Sequence, residues 1–60
     1  MADNYEKYRH YNNKKIYRLL CMAVNHETEE PMVIYCSDEN PDGLKWARTA
    51  REFHAKFKKV

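Results

Sequence analysis

Glycine, proline and cysteine are all scarce in this chain: one glycine, two prolines and two cysteines among 60 residues. Two cysteines, Cys21 and Cys36, cannot build the multi-bridge framework of a small secreted domain. They also fall short of a structural zinc site, which usually takes four ligands. No apolar run approaches the ~18 residues of a membrane-spanning helix, and no N-terminal run resembles a signal peptide. The expectation is a reducing cytosol, no membrane contact, no disulfide, no metal and no cofactor. Net charge is also slight, +2 at pH 7, too little by itself to announce nucleic-acid binding. Length is short as well: a domain of this size buries only about 60% of its unfolded surface. With disulfides and metals set aside, a homo-oligomer is the expected support for so thin a core.

What the chain does hold is unevenly placed charge and many aromatics. Acid gathers in "HETEE" and "SDENPD", whereas the tail "RTAREFHAKFKKV" is basic. Such asymmetry favours an anionic ligand near the tail, or simply a solvated surface. A single domain over residues 1–60 is expected, with residues 1–6 frayed. "YRHYNNKKIY", residues 8–17, reads as two strands around a turn at Asn12 and Asn13, which tolerate positive φ. "IYRLLCMAV" alternates so that Leu19, Cys21 and Ala23 share one face and Leu20, Met22 and Val24 the other. Both faces are apolar, and a small barrel needs only one of them inward.

"HETEEP" is a polar loop in which Pro31 stays out of a sheet interior, and "MVIYC" is a β-rich run. Pairing Val24 with Val33 sets Cys21 opposite Cys36, both expected as reduced core residues. "NPDG" is the clearest turn. The last segment, "LKWARTAREFHAKFKKV", has two readings. Phe53, Phe57 and Val60 recur at helical spacing, which suits one long helix. Alternatively "LKWAR" is a strand and a short helix or helical turn begins near Thr49. Periodicity alone leaves both open.

The order of motifs is distinctive. "YRHY", a turn, "Y-x-L-L", "A-x-N-H-E-T-E-E", "V-I-Y", "G-L" and "W-A-R-T-A-x-E-F" resemble the small bacterial and phage domain-of-unknown-function family 1653. That family reads Y-R-H-Y-K-G, H-[ST]-E-T, V-V-Y and W-x-R-P-x-x-M-F, and the resemblance runs from Tyr8 to Phe53. Asn13 stands where the family has glycine, Asn25 where it has histidine, Thr49 for proline and Glu52 for methionine. The resemblance implies a mostly β domain, a small SH3-like barrel with a C-terminal helical turn or short helix. Residues 44–48 are then a strand, residues 8–17 the first hairpin, and Phe53 the residue that closes the barrel. It implies no activity.

Three kinds of function are weighed from the residues. Catalysis has candidates in His10, His26, His54, Glu27 and the cysteines, but no nucleophile or metal motif links them, so a non-enzymatic protein is expected. A ligand-binding module is the leading reading. Arg9, Arg18 and Arg48 offer bidentate donors to phosphate, and Tyr8, Tyr11, Tyr35 and Trp46 offer faces on which a base stacks. Glu27 and Thr28 offer hydrogen bonds to base edges or ribose. The specific expectation is a phage-type protein that sequesters an anionic nucleotide or cyclic oligonucleotide signal without cleaving it, a counter-defence sponge in the bacterial host cytosol. Its contacts are Arg9, His10, Tyr11, Tyr35, Trp46 and Arg48. The competing view makes Tyr11, Tyr17, Tyr35 and Trp46 barrel core, with Arg9 and Arg48 on its rim. The alternative function is a nucleic-acid or protein-interaction module in which Arg48, Arg51, Lys56, Lys58 and Lys59 track a polymer backbone.

Overall fold

A computed structural model describes residues 5–60. Five strands and one helix follow in order: β1 (Glu6–His10), β2 (Ile16–Val24), β3 (Pro31–Ser37), β4 (Lys45–Thr49), α1 (Ala50–Lys56) and β5 (Phe57–Lys59). All strand pairs are antiparallel, in the sheet order β4-β3-β2-β1-β5. This is the strand order of an SH3-like barrel, with β4 and β5 as edges of an open sheet and α1 joining them in the chain. The fold is therefore mostly β with a short helix near its end. Glu6 already pairs with Leu19, so order begins within the stretch expected to fray. The same expectation for residues 1–4 lies outside the described residues.

The C-terminal segment follows the strand-then-helix reading, and Thr49 decides where the change occurs. Its backbone is extended, at φ −61° and ψ 148°, while its hydroxyl accepts the Glu52 N–H as an N-cap. Such a cap contributes about 1 kcal/mol. The helix ends after two turns because Phe57 returns to an extended conformation and opens β5. Strand β5 was missed from sequence; three residues give too short a pattern to register.

The core lies on one face of the curled sheet. Tyr8, Val33, Tyr35, Phe53 and Phe57 are buried together, with Tyr17, Leu19 and Ala50 packed against them. Phe53 is fully enclosed. Its ring stacks on Phe57 at 4.3 Å and meets Tyr8 at 4.9 Å and Tyr35 at 5.2 Å. Phe53 thus closes the core from the helix side, as expected. Burial, with the Glu6 carboxylate accepting its hydroxyl at 3.2 Å as the lesser cause, raises the Tyr8 pKa above its ordinary value.

The β2–β3 register differs from the sequence reading. Val24 pairs with Pro31, Met22 with Val33 and Cys21 with Ile34, while Cys36 lies opposite Arg18. Two features move it. The β2–β3 loop closes earlier, with Asn25 N–H donating to the Glu30 carbonyl and Glu29 taking φ 62°. Asn25 Oδ1 also accepts the Glu27 and Thr28 N–H groups, at 2.9 and 3.3 Å. In addition, a bulge between Leu19 and Cys21 inserts one extra β2 residue and flips the alternation beyond it. Leu19 therefore shares a face with Met22, not with Cys21. The cysteines are not opposed: Cys36 is buried, but Cys21 is exposed, contrary to its expected place in the core.

The first turn is also built differently from expectation. Lys14, not either asparagine, adopts positive φ, at 64°. Asn13 works through its side chain instead, its Oδ1 accepting the Lys15 N–H at 2.8 Å. The "NPDG" turn forms as read, with the Gly43 N–H on the Asn40 carbonyl at 3.0 Å.

Candidate functional site

Directly paired residues of an antiparallel sheet share a face, and this brings distant aromatics into one row. Trp46 pairs with Tyr35, Leu19 with Tyr35, Tyr8 with Tyr17, and His10 with Phe57. Along β1, β2 and β4, alternation adds His10 beside Tyr8, Tyr17 beside Leu19 and Arg48 beside Trp46. The outer end of this row forms a groove of about 270 Å³, lined by His10, Asn13, Tyr17, Tyr35, Trp46, Arg48 and Phe57. Its rings meet mostly edge to face. Tyr17 is 5.7 Å from Tyr35, 6.0 Å from Trp46 and 5.3 Å from Phe57, and His10 is 4.7 Å from Phe57. Interlocked rings of this kind hold one another in place.

The polar groups in the groove are positioned as well. Arg48 Nε donates to the Tyr35 hydroxyl at 3.0 Å; among the described residues its terminal nitrogens have no acceptor. Asn13 Nδ2 donates to the Tyr17 hydroxyl at 3.2 Å. His10 Nδ1 accepts the backbone N–H groups of Asn12 and Asn13, at 3.1 and 3.4 Å. A neutral His10 therefore carries its proton on Nε2. Trp46 stays 41% exposed although Tyr35, its cross-strand partner, is buried. The groove thus offers an accessible indole face beside a guanidinium held by the sheet.

Four of the six expected contacts, His10, Tyr35, Trp46 and Arg48, come together here. Arg9 and Tyr11 do not. Arg9 follows Tyr8 on the opposite face of β1, and Tyr11 starts the turn. Both line a separate concavity of about 440 Å³ with Lys14, Lys58, Lys59 and Val60. A smaller depression of about 90 Å³ between them is lined by His10, Tyr11, Asn12, Ala55 and Lys56. Tyr11 is 48% exposed, so it is neither barrel core nor part of the groove. Tyr8, once a candidate stacking face, is core.

The other candidates have other tasks. Arg18 lies on the far face of β2, where Nε donates to Asp38 at 2.7 Å and the guanidinium sits over the Tyr5 ring. That hydrogen bond, aided by Lys7, holds the Asp38 carboxyl below its ordinary pKa. Arg51 pairs with Glu30 at 3.1 Å, and Thr28 Oγ1 accepts the Glu30 N–H within its own loop. Neither Glu27 nor Thr28 lines the groove. His10, His26 and His54 sit on β1, the β2–β3 loop and α1 respectively. Among the described residues no three His, Cys, Asp or Glu side chains gather where they could hold a metal. Nor is any helix there long and apolar enough to cross a membrane.

Sequence reasoning missed Asn13, Tyr17 and Phe57 as groove residues. Tyr17 was discoverable, because strand alternation puts it on the same side as Leu19, an expected inward residue. Phe57 was not, since β5 was not visible.

Comparison with curated proteins and with solved structures finds no match. A family model described as protein of unknown function (DUF1653) matches residues 6–59. That span runs from the first residue of β1 to the last of β5. The chain therefore belongs to the DUF1653 family, as its ordered motifs anticipate.

Proposed function

We propose that this protein is a non-enzymatic binding module that takes an anionic, nucleotide-like ligand in the aromatic groove and holds it unchanged. The observation that carries the reading is Arg48, held by the Tyr35 hydroxyl beside the accessible face of Trp46. A planar ring gains about 1–3 kcal/mol by stacking on such a surface. A phosphate gains charge-assisted hydrogen bonds from the guanidinium. The groove volume, about 270 Å³, is just below the ~300–1,000 Å³ of sites that enclose a drug-sized ligand. This suits a ring seated inside with its phosphate outside at Arg48. The His10 ring acceptor is taken up by two backbone N–H groups, those of Asn12 and Asn13. That supports sequestration over turnover.

A second reading has its own support. His10 lines both the groove and the small depression, and Tyr11 lines both that depression and the basic concavity. An aromatic surface thus leads around the turn into cationic side chains, the combination used by single-strand binders.

A thermal-shift titration separates the two. Mononucleotides, cyclic dinucleotides and short single strands are compared at low and moderate salt, with Arg48→Ala alongside. The sequestration reading expects a saturable rise in Tm with one small nucleotide, kept at moderate salt and lost in Arg48→Ala. A rise only with oligonucleotides, fading steeply with salt, favours the polymer. No rise with any of them removes both.

A further inference from the structure

We propose that the concavity across the turn is a second anion site, one that takes a small-molecule oligophosphate. It is lined by Arg9, Tyr11, Lys14, Lys58, Lys59 and Val60, with a volume of about 440 Å³. Four of these residues are cationic, and they come from three elements: Arg9 from β1, Lys14 from the first turn, Lys58 and Lys59 from β5. Their convergence is a product of topology, not of a run of charge in the sequence.

The pairing within the site is unusual. Arg9 and Lys58 are direct cross-strand partners, and like charges placed opposite each other destabilise a sheet. Among the described residues no carboxylate lies in ion-pair range of Arg9, Lys14 or Lys58. Lys59, opposite Tyr8, turns to the other face of β5, where it pairs loosely with Glu6 at 3.7 Å, and borders the site at its edge. Yet the backbone around these groups is well tied. Tyr8 pairs with Lys59 and His10 with Phe57, the Val60 N–H donates to the Lys7 carbonyl, and the Tyr11 N–H donates to the Lys56 carbonyl. Lys14 is fixed by its own N–H on the His10 carbonyl at 2.9 Å. The result is a fixed frame holding cations that repel one another, and a multiply charged anion is the natural partner for it. One phosphate monoester carries about two negative charges; Arg9 and Lys58 on one face, with Lys14 at the turn, match a di- or triphosphate better. Tyr11, half exposed, walls the site beside the charges.

This inference stands apart from the groove, because its ligand class needs no ring. Inorganic tripolyphosphate is therefore the probe, titrated by calorimetry into the full chain at about 0.15 M salt, where the Debye length is about 8 Å. Saturable binding is expected. Lys58→Ala and Arg9→Ala should each weaken it by about tenfold or more, whereas Arg48→Ala in the groove should leave it unchanged. Thermal melts guard against misfolding. Removing one of two facing like charges should leave the unliganded Tm unchanged or higher, and Lys58→Arg should retain binding. No binding by the wild-type chain overturns the proposal, as does binding that Arg9→Ala and Lys58→Ala leave intact. So does binding of single-stranded oligonucleotides alone, which would assign the site to a polymer backbone. Tripolyphosphate binding without any nucleotide binding would refute the groove reading and leave this one standing.

Discussion

Replacing Phe53 with alanine should come close to unfolding this protein. Phe53 is 0% exposed and touches the rings of Phe57, Tyr8 and Tyr35 at 4.3, 4.9 and 5.2 Å. Truncating a core phenylalanine costs about 3–5 kcal/mol, through lost transfer energy and the cavity left behind. At about 0.05–0.15 kcal/mol per residue, a chain of 60 residues has only about 3–9 kcal/mol of stability in total. Phe53→Ala therefore removes much or all of it. Phe53→Leu, which refills most of the space, should cost on the order of 1–2 kcal/mol. Urea unfolding followed by near-ultraviolet dichroism is the assay. With m of about 1 kcal/mol/M for a small domain, the leucine variant moves the midpoint down by about 1–2 M, and the alanine variant shows no native baseline or a very short one. A loss below about 1 kcal/mol in Phe53→Ala would refute the idea that the helix closes the core through this ring.

Thr49→Ala should cost about 1 kcal/mol by removing the acceptor of the Glu52 N–H; an unchanged urea midpoint would deny the cap its role. The two shifted groups act at opposite ends of the pH range. Asp38 has a depressed folded pKa, so its contribution is present above its ordinary value of 3.8 and is lost as pH falls through the folded value. Tyr8 has a raised one, so its contribution holds below 10.0 and is lost as pH rises beyond it. Stability measured against pH should therefore fall less steeply in acid for Asp38→Asn and less steeply in alkali for Tyr8→Phe, and parallel curves would deny both. Self-association is proposed through the far end of β2, where Met22 and Val24 are 53% and 67% exposed. Sedimentation at micromolar concentration should give more than the monomer mass for the wild-type chain and the monomer mass for Met22→Glu; a wild-type monomer would count against it.

Much of the fold was legible because it rests on local signals. "YRHYNNKKIY" announces a hairpin and "NPDG" a turn, and the ordered motifs tie residues 44–48 to a strand. The misreadings arise where one residue changes the count. The bulge between Leu19 and Cys21 reverses every face beyond it, and no residue in "IYRLLCMAV" signals a bulge as glycine would. Strand β5 exists because Phe57 N–H caps the helix and the chain then meets β1, a long-range pairing with no pattern of its own. The site was half legible for the same reason. Trp46, Arg48 and Tyr35 were recognisable as residue types suited to a ring and a phosphate. That Arg9 belongs elsewhere follows from the face of β1 it takes, and that Tyr11 does follows from its place at the start of the turn.

The most direct test of the account uses Trp46, the one tryptophan in the chain, which lines the groove itself. Its fluorescence should be titrated with a panel of mononucleotides and cyclic dinucleotides at about 0.15 M salt, where long-range attraction is screened. Saturable quenching by one of them is expected. Arg48→Ala, by losing a charge-assisted contact worth about 1.5–3 kcal/mol, should weaken that ligand by roughly 10- to 150-fold. Fluorescence that stays unchanged to millimolar concentrations across the whole panel would contradict the groove reading.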